Sequence, residues 1–127
     1  MILRMEIPKA DAIIPIPLYK DRLRQREFNQ SALLAKYTAK KTGTSLLVNC
    51  LVKVNDTQPQ VGLSSKERRQ NVKNAFGVEQ QELIKGKNIL LMDDVITTGA
   101  TVRECSRVLK KAGAKDIYVL ALAHAKD

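Results

Sequence analysis

Residues 89–101 read ILLMDDVITTGAT. Ile89 to Met92 form a continuous apolar run, the pattern of a strand covered on both faces. The run stops abruptly at two adjacent carboxylates, Asp93 and Asp94. A turn of small and hydroxylated residues follows: Thr97, Thr98, Gly99, Ala100 and Thr101. After it, Val102, Cys105, Val108, Leu109 and Ala112 fall on one helical face, and Gly113 stands where a helix would end. Thr101 and Glu104 give a T-x-x-E spacing expected to cap that helix. The stretch therefore predicts strand, turn and helix, with charge at the strand's carboxyl end.

The residue types define the chemistry. Two like charges side by side repel, so cations or hydrogen-bond donors have to meet them. An ionised carboxylate only accepts hydrogen bonds. The 2′- and 3′-hydroxyls of a ribose offer two donors side by side, and Mg²⁺ is a second natural neighbour for carboxylate oxygens. The N–H groups opening a helix lack partners and carry partial positive charge. Gly99 lets a ligand approach the backbone, and the three threonines add hydroxyls. Diol acceptors beside such a phosphate cup describe a ribose 5-phosphate site.

Upstream, Ala12–Ile14 read as a short buried strand, with Pro15 and Pro17 placing residues 15–17 in a loop. From Asn29 to Lys41 the chain suits an amphipathic helix with Leu33, Leu34 and Tyr37 inward. Asn29 is placed to cap its start, and Gly43 to end it. SLLVNCLVKV, residues 45–54, reads as one strand, parallel to the first because a helix joins them. Ser64 and Glu67 have capping-box spacing for a short basic helix. AFGV (75–78) and DIYVLALA (116–123) are further strands. This order predicts a single α/β domain over residues 1–127, with a mostly parallel sheet flanked by helices. Ligands of such sheets bind beyond the carboxyl ends of strands.

The 127 residues are 44% hydrophobic and 28% charged, a balance ordinary for a soluble domain. No apolar run reaches the roughly 18 residues of a membrane span, and the start lacks a signal-peptide core. A cytoplasmic protein is expected. Cys50 and Cys105 form no CxxC pair and read as reduced, partly buried thiols. Net charge is +9, and residues 1–73 hold 14 Lys/Arg against 6 Asp/Glu. That half should meet something anionic. With three Tyr, two Phe and no Trp, no aromatic-rich stacking motif is present. Nucleic-acid binding is therefore expected to be weak and non-specific at most.

At Asp93–Thr101 the sequence resembles the phosphoribosyl diphosphate (PRPP) binding motif of type I phosphoribosyltransferases. PIPLYKDRLRQREFNQSALLA (15–35) and DTQPQVGLSSKERRQNVKNAF (56–76) resemble signatures of the ComF family, also called GntX. The likeness runs from about Asp11 to His124. It implies the type I phosphoribosyltransferase fold and Mg²⁺-dependent transfer of phosphoribosyl to an acceptor, with pyrophosphate release. By the resemblance, Asp93 and Asp94 contact the ribose hydroxyls, and Thr97, Thr98, Gly99, Ala100 and Thr101 hold the 5-phosphate. Pro15, Ile16 and Pro17 meet the pyrophosphate with Arg22 nearby. Residues 57–71 form a mobile loop carrying Thr57, Gln58, Gln60, Arg68 and Asn71. Arg26 and Arg68 are candidates to stabilise the leaving group, and Mg²⁺ is held mainly through substrate and water rather than by direct protein ligands. Such domains commonly form homodimers.

Glu27 departs from the family pattern, which has glycine before Phe-Asn-Gln. The cysteine-rich zinc ribbon usual in the family is absent from this sequence, so its role is not carried over. A second reading also follows from the resemblance: a catalytically silent adaptor in DNA uptake, with a protein of the competence machinery as partner.

Overall fold

The computed structural model describes residues 7–17, 30–54, 64, 66–67, 73–96 and 99–124. Four parallel strands form the main sheet in the order β2-β1-β5-β6. They are β1 (Ala12–Pro15), β2 (Ser45–Leu46), β5 (Ile89–Ile96) and β6 (Ile117–His124). Strands β3 (Leu51–Lys53) and β4 (Phe76–Val78) pair antiparallel as a separate ribbon. Helix α1 (Gln30–Thr42) joins β1 to β2, and α2 (Ala100–Lys111) joins β5 to β6. The expected α/β domain with a mostly parallel, helix-flanked sheet is the observed one.

Alternation along β5 divides the core. Ile89 and Leu91 join Ile14, Cys105 and Leu109 on the face covered by α2 and the ribbon. Leu90 and Met92 join Ile13, Ala35 and Ala39 under α1. A strand buried on both faces has no polar positions to spare, which is why Ile89–Met92 is unbroken in sequence. Cys50 and Cys105 are free and buried, as expected. Burial pushes both thiols above their ordinary range, the state of inert core cysteines.

Both helices end where glycine is expected to end them. At α2, Gly113 N donates to Lys110 O at 3.0 Å and Ala114 N to Leu109 O at 3.1 Å, the paired bonds of a Schellman turn. Gly113 has φ +110°, and a Cβ there would lie 3.2 Å from Lys85 Cγ. The turn thus requires glycine for conformation and for the close approach of the loop before β5.

Several expectations change. Residues 45–54 are not one strand: β2 pairs with β1, and after the bend at 48–50 the chain enters the ribbon as β3. Pro15 belongs to β1 rather than to a loop, in register with Met92. Ile16 N bonds Met92 O at 2.9 Å, so the nitrogen of Pro15 points to the opposite side, where β2 has already stopped at Leu46. The missing donor is needed by no neighbour. Helix α1 buries Ser31, Ala35, Thr38 and Ala39, while Leu33 and Tyr37 are 50% and 46% exposed. Small side chains let the helix sit close to the sheet, and Thr38 satisfies its hydroxyl on Leu34 O at 2.9 Å. Leu34 alone of the expected trio packs against this core. The cap expected from Asn29 lies outside the described residues.

Candidate functional site

Strand β5 does not end at Met92. It continues through both aspartates to Ile96. Pairing with β1 stops at Pro15–Met92, whereas pairing with β6 continues through Asp93–Ala121, Val95–Ala123 and Ile96–His124. Among the described residues, then, Asp93, Val95 and Ile96 are paired on one side only. The apolar run stops where the neighbouring strand stops, and carboxylates take over where the sheet opens. This is the carboxyl end of the sheet, where ligands of open α/β sheets bind.

The carboxyl groups are held by local donors. Asp93 Oδ1 accepts from Asp94 N at 2.8 Å and from Ser31 Oγ at 3.2 Å. Asp94 Oδ1 accepts from Val95 N at 2.9 Å. Burial, a hydrogen bond with the Asp94 carboxyl and that group's charge push the Asp93 pKa up to about 7. The two backbone and hydroxyl donors work against this shift and do not overcome it. The Asp93 carboxyl thus changes its proton occupancy near neutrality, a placement suited to exchanging that proton for ligand donors or a cation. Ser31, buried on an apolar helix face, is not among the residues that the sequence singles out. Its polarity at a position of the α1 face that packs on the sheet is the available signal.

Helix α2 begins at Ala100, with Gly99 at its N-cap in the left-handed conformation (φ 83°) and no side-chain cap. The expected T-x-x-E cap is not formed, because Thr101 already lies inside the helix. Glu104 instead binds Arg107 Nε at 2.8 Å and accepts from Asn74 N at 3.2 Å. The Ala100 methyl is buried in the core, so only its backbone can face a ligand. The guanidinium of Arg103 folds back over the turn: a Cβ on Gly99 would meet Arg103 Nη1 at 3.0 Å. Arg103 too is not expected from sequence.

Pro15 and Ile16 are buried and Pro17 is half-buried. The hydrogen bond from Ile16 to Met92 sets this segment directly beside the start of the aspartate pair. Pro15, Ile16, Asp93, Asp94, Gly99 and Ala100 thus share one end of the sheet. Thr97, Thr98, Arg22, Arg26, Thr57, Gln58, Gln60, Arg68 and Asn71 lie outside the described residues. The expected capping box is formed, with Glu67 N on Ser64 Oγ and Ser64 N on Glu67 Oε1, both at 3.1 Å. These two bonds lower the Glu67 pKa.

Among the described residues no group of three or more His, Cys, Asp or Glu side chains could hold a metal ion. Asp93 and Asp94 are a two-carboxylate pair already engaged with backbone donors. They suit the outer sphere of a Mg²⁺ ion carried by a polyphosphate better than a closed protein cage.

The phosphoribosyl transferase domain family matches residues 33–127. Competence protein F of Haemophilus influenzae is 42% identical over 116 residues, covering 91% of this chain and 51% of the relative. DNA utilization protein YhgH of Salmonella typhi is 36% identical over 116 residues, covering 91% and 50%. The chain thus spans about half the length of the curated relatives it matches. A structure of the allosteric regulatory enzyme of purine biosynthesis superposes with a TM-score of 0.64 at 23% identity, covering 92% of this chain and 23% of that one. An adenine phosphoribosyltransferase superposes with a TM-score of 0.57 at 14% identity, covering 93% and 59%. At these identities the structures bear on fold alone, and the fold they share with this chain is that of the type I phosphoribosyltransferases. No helix among the described residues is long and apolar enough to cross a membrane.

Proposed function

The chain belongs to the phosphoribosyl transferase domain family, and from that premise we propose that it binds PRPP and transfers its phosphoribosyl group to an acceptor, releasing pyrophosphate. The observation that carries this reading is the Asp93–Asp94 pair on the one-sided end of β5, beside the turn opened by Gly99. In the proposed reaction a nucleophile bonds to C1 of the sugar while the C1–oxygen bond to pyrophosphate breaks, and the bonding electrons leave with pyrophosphate. The sugar passes through an oxocarbenium-like state, as in glycoside chemistry. Asp93 and Asp94 accept from the ribose hydroxyls and stabilise the positive charge developing on the ring. Thr97, Thr98, Gly99, Ala100 and Thr101 take the 5-phosphate. Pro15, Ile16 and Pro17 border the pyrophosphate through their backbone, with Arg22, Gln58, Gln60 and Asn71 completing the binding set. Arg26 and Arg68 are assigned to the leaving group. Mg²⁺, when bound with PRPP, would neutralise pyrophosphate charge.

Calorimetry with PRPP and Mg²⁺ tests the binding, and a pyrophosphate-release screen over candidate acceptors tests the transfer. The double variant Asp93→Asn/Asp94→Asn should lose at least tenfold in affinity, about 1.4 kcal/mol. Unchanged affinity in the folded variant would sink the assignment. A second reading is favoured by one specific observation, the relatives' names: a competence protein and a DNA utilization protein. In it the domain binds the phosphoribosyl ligand without turnover and serves DNA uptake through a partner from the competence machinery. PRPP binding with no pyrophosphate release over the whole acceptor screen would select this second reading.

A further inference from the structure

We propose, resting on the phosphoribosyl reading above, that Ser31 is a positioning residue: its hydroxyl fixes the plane of the Asp93 carboxyl group, so that Oδ2 is already in place to accept from a ribose hydroxyl. Ser31 lies before the segment matched by the phosphoribosyl transferase domain family, which begins at residue 33. Three observations carry its role. First, Ser31 is 4% exposed on the face of α1 that packs on β1 and β5, so the helix decides where its hydroxyl sits. A buried hydroxyl needs a partner, and helices often supply one locally. Thr38, Thr42 and Ser106 each donate to the carbonyl four residues earlier, at 2.9, 2.8 and 2.7 Å. Ser31 Oγ crosses from helix to sheet and donates to Asp93 Oδ1 at 3.2 Å. Second, Asp94 N donates to the same oxygen at 2.8 Å. Turning the carboxyl group about its Cβ–Cγ bond would move Oδ1 away from both donors, so the two together determine where Oδ2 lies. Third, the Ser31 bond favours the ionised acceptor, against the upward push on the Asp93 pKa from burial and from Asp94.

The bond thus joins the packing of α1 to the geometry of the site. A sugar hydroxyl meets an acceptor whose direction is set before the ligand arrives, and no reorganisation is needed on binding. A side chain of one carbon carries a donor to the carboxylate without lifting the helix from the closely packed sheet. Alanine would keep the packing and lose the donor. Cysteine would refill the space with only a weak donor.

The test measures ribose 5-phosphate and 2,3-dideoxyribose 5-phosphate by calorimetry against the full chain, Ser31→Ala and Ser31→Cys. The second ligand keeps the phosphate and lacks the diol. Working at pH 9, well above the Asp93 pKa of about 7, makes the comparison one of orientation rather than charge. The expected result is an approximately tenfold loss for ribose 5-phosphate in both variants. Affinity for the dideoxy sugar phosphate should stay within about twofold. A displaced helix or a general loss of fold would weaken both ligands alike, and that result would overturn the assignment. Full affinity in Ser31→Cys beside a loss in Ser31→Ala would overturn it too, because filled space rather than the hydrogen bond would then be what counts. Equal affinity for ribose 5-phosphate in the parent and both variants would overturn Ser31's role while leaving the phosphoribosyl site intact. No ribose 5-phosphate binding by the parent would overturn the site and Ser31's role together. Should Ser31→Ala melt below the assay temperature, Ser31→Cys carries the same comparison between the two ligands.

Discussion

Asp93 concentrates the chemistry of the molecule in one side chain. Its pKa is raised to about 7, first by burial and then by Asp94. The native state therefore holds more protons than the unfolded chain between about pH 4 and 7. Stability from this group is fully present below the unfolded carboxylate pKa and is lost as pH rises through about 7. Thermal melting should accordingly show a higher midpoint at pH 5 than at pH 8. Asp93→Asn should flatten that difference and raise the midpoint at pH 8, while costing ligand affinity, the trade expected of a strained binding site. On the proposed phosphoribosyl reading ligand binding runs the other way, because ribose hydroxyls need the ionised acceptor. Calorimetry from pH 6 to 8 should show affinity for ribose 5-phosphate rising, more steeply in the parent than in Asp93→Asn. The aspartate pair was legible in the sequence because two adjacent charges directly after four buried apolar residues demand donors or a cation to meet them. Ser31 was not, since a lone serine is as much at home on a solvated helix face or at a cap. Only the fold brings it 3.2 Å from a residue 62 positions away.

At the scale of elements, local signals succeeded where conformation alone decides and failed where a neighbouring segment decides. Gly43 and Gly113 end their helices because the backbone there needs positive φ whatever packs around it. Gly113→Ala should destabilise by at least about 1 kcal/mol, read from urea unfolding, since an L side chain is strained at that φ. It also meets Lys85. By contrast, the length of β5 depends on β6, which keeps pairing after β1 has stopped. The strand status of Pro15 depends on where β2 ends. The inward face of α1 is chosen by how close the sheet lies, so small residues displaced the leucine and tyrosine that composition favoured. None of these three is a property of its own window of sequence.

For the whole molecule, one gathering of exposed charge among the described residues comes from the half of the sequence with little net charge. The turn at 85–88 and the turn at 112–116 are laced together, with Gly86 N on Gly113 O and Lys115 N on Lys87 O, both at 2.8 Å. This brings exposed Lys85, Lys87, Lys110, Lys111 and Lys115 to the amino-terminal end of the sheet, all from the half of the sequence with little net charge. Lys110 lies 4.0 Å from Asp116, the ion pair recorded on this face among the described residues. The aspartate pair sits further along β5, roughly 13–17 Å from the start of the strand. Any nucleic-acid affinity should therefore be weak, indifferent to sequence and steeply salt-dependent. Fluorescence anisotropy with a labelled oligonucleotide checks this. Replacing Lys85, Lys87, Lys111 and Lys115 by glutamine should lower the salt slope, and saturating ribose 5-phosphate should leave it unchanged. Affinity that discriminates between sequences at physiological salt would contradict the expectation.

The backbone bonds at the strand tip also equip the protein with its own spectroscopic probes. The amide of Asp94 donates to the carboxyl of Asp93, and the amide of Val95 donates to the carboxyl of Asp94. An amide proton moves downfield when the carboxylate it binds becomes ionised, so Asp93 is read by the residue that follows it. In a ¹⁵N-resolved NMR titration the Asp94 resonance should turn over near pH 7 in the free protein. With ribose 5-phosphate bound, the midpoint should shift to lower pH. That cross-peak would then follow the ionisation of Asp93, with no label beyond the nitrogen isotope and no substitution in the chain.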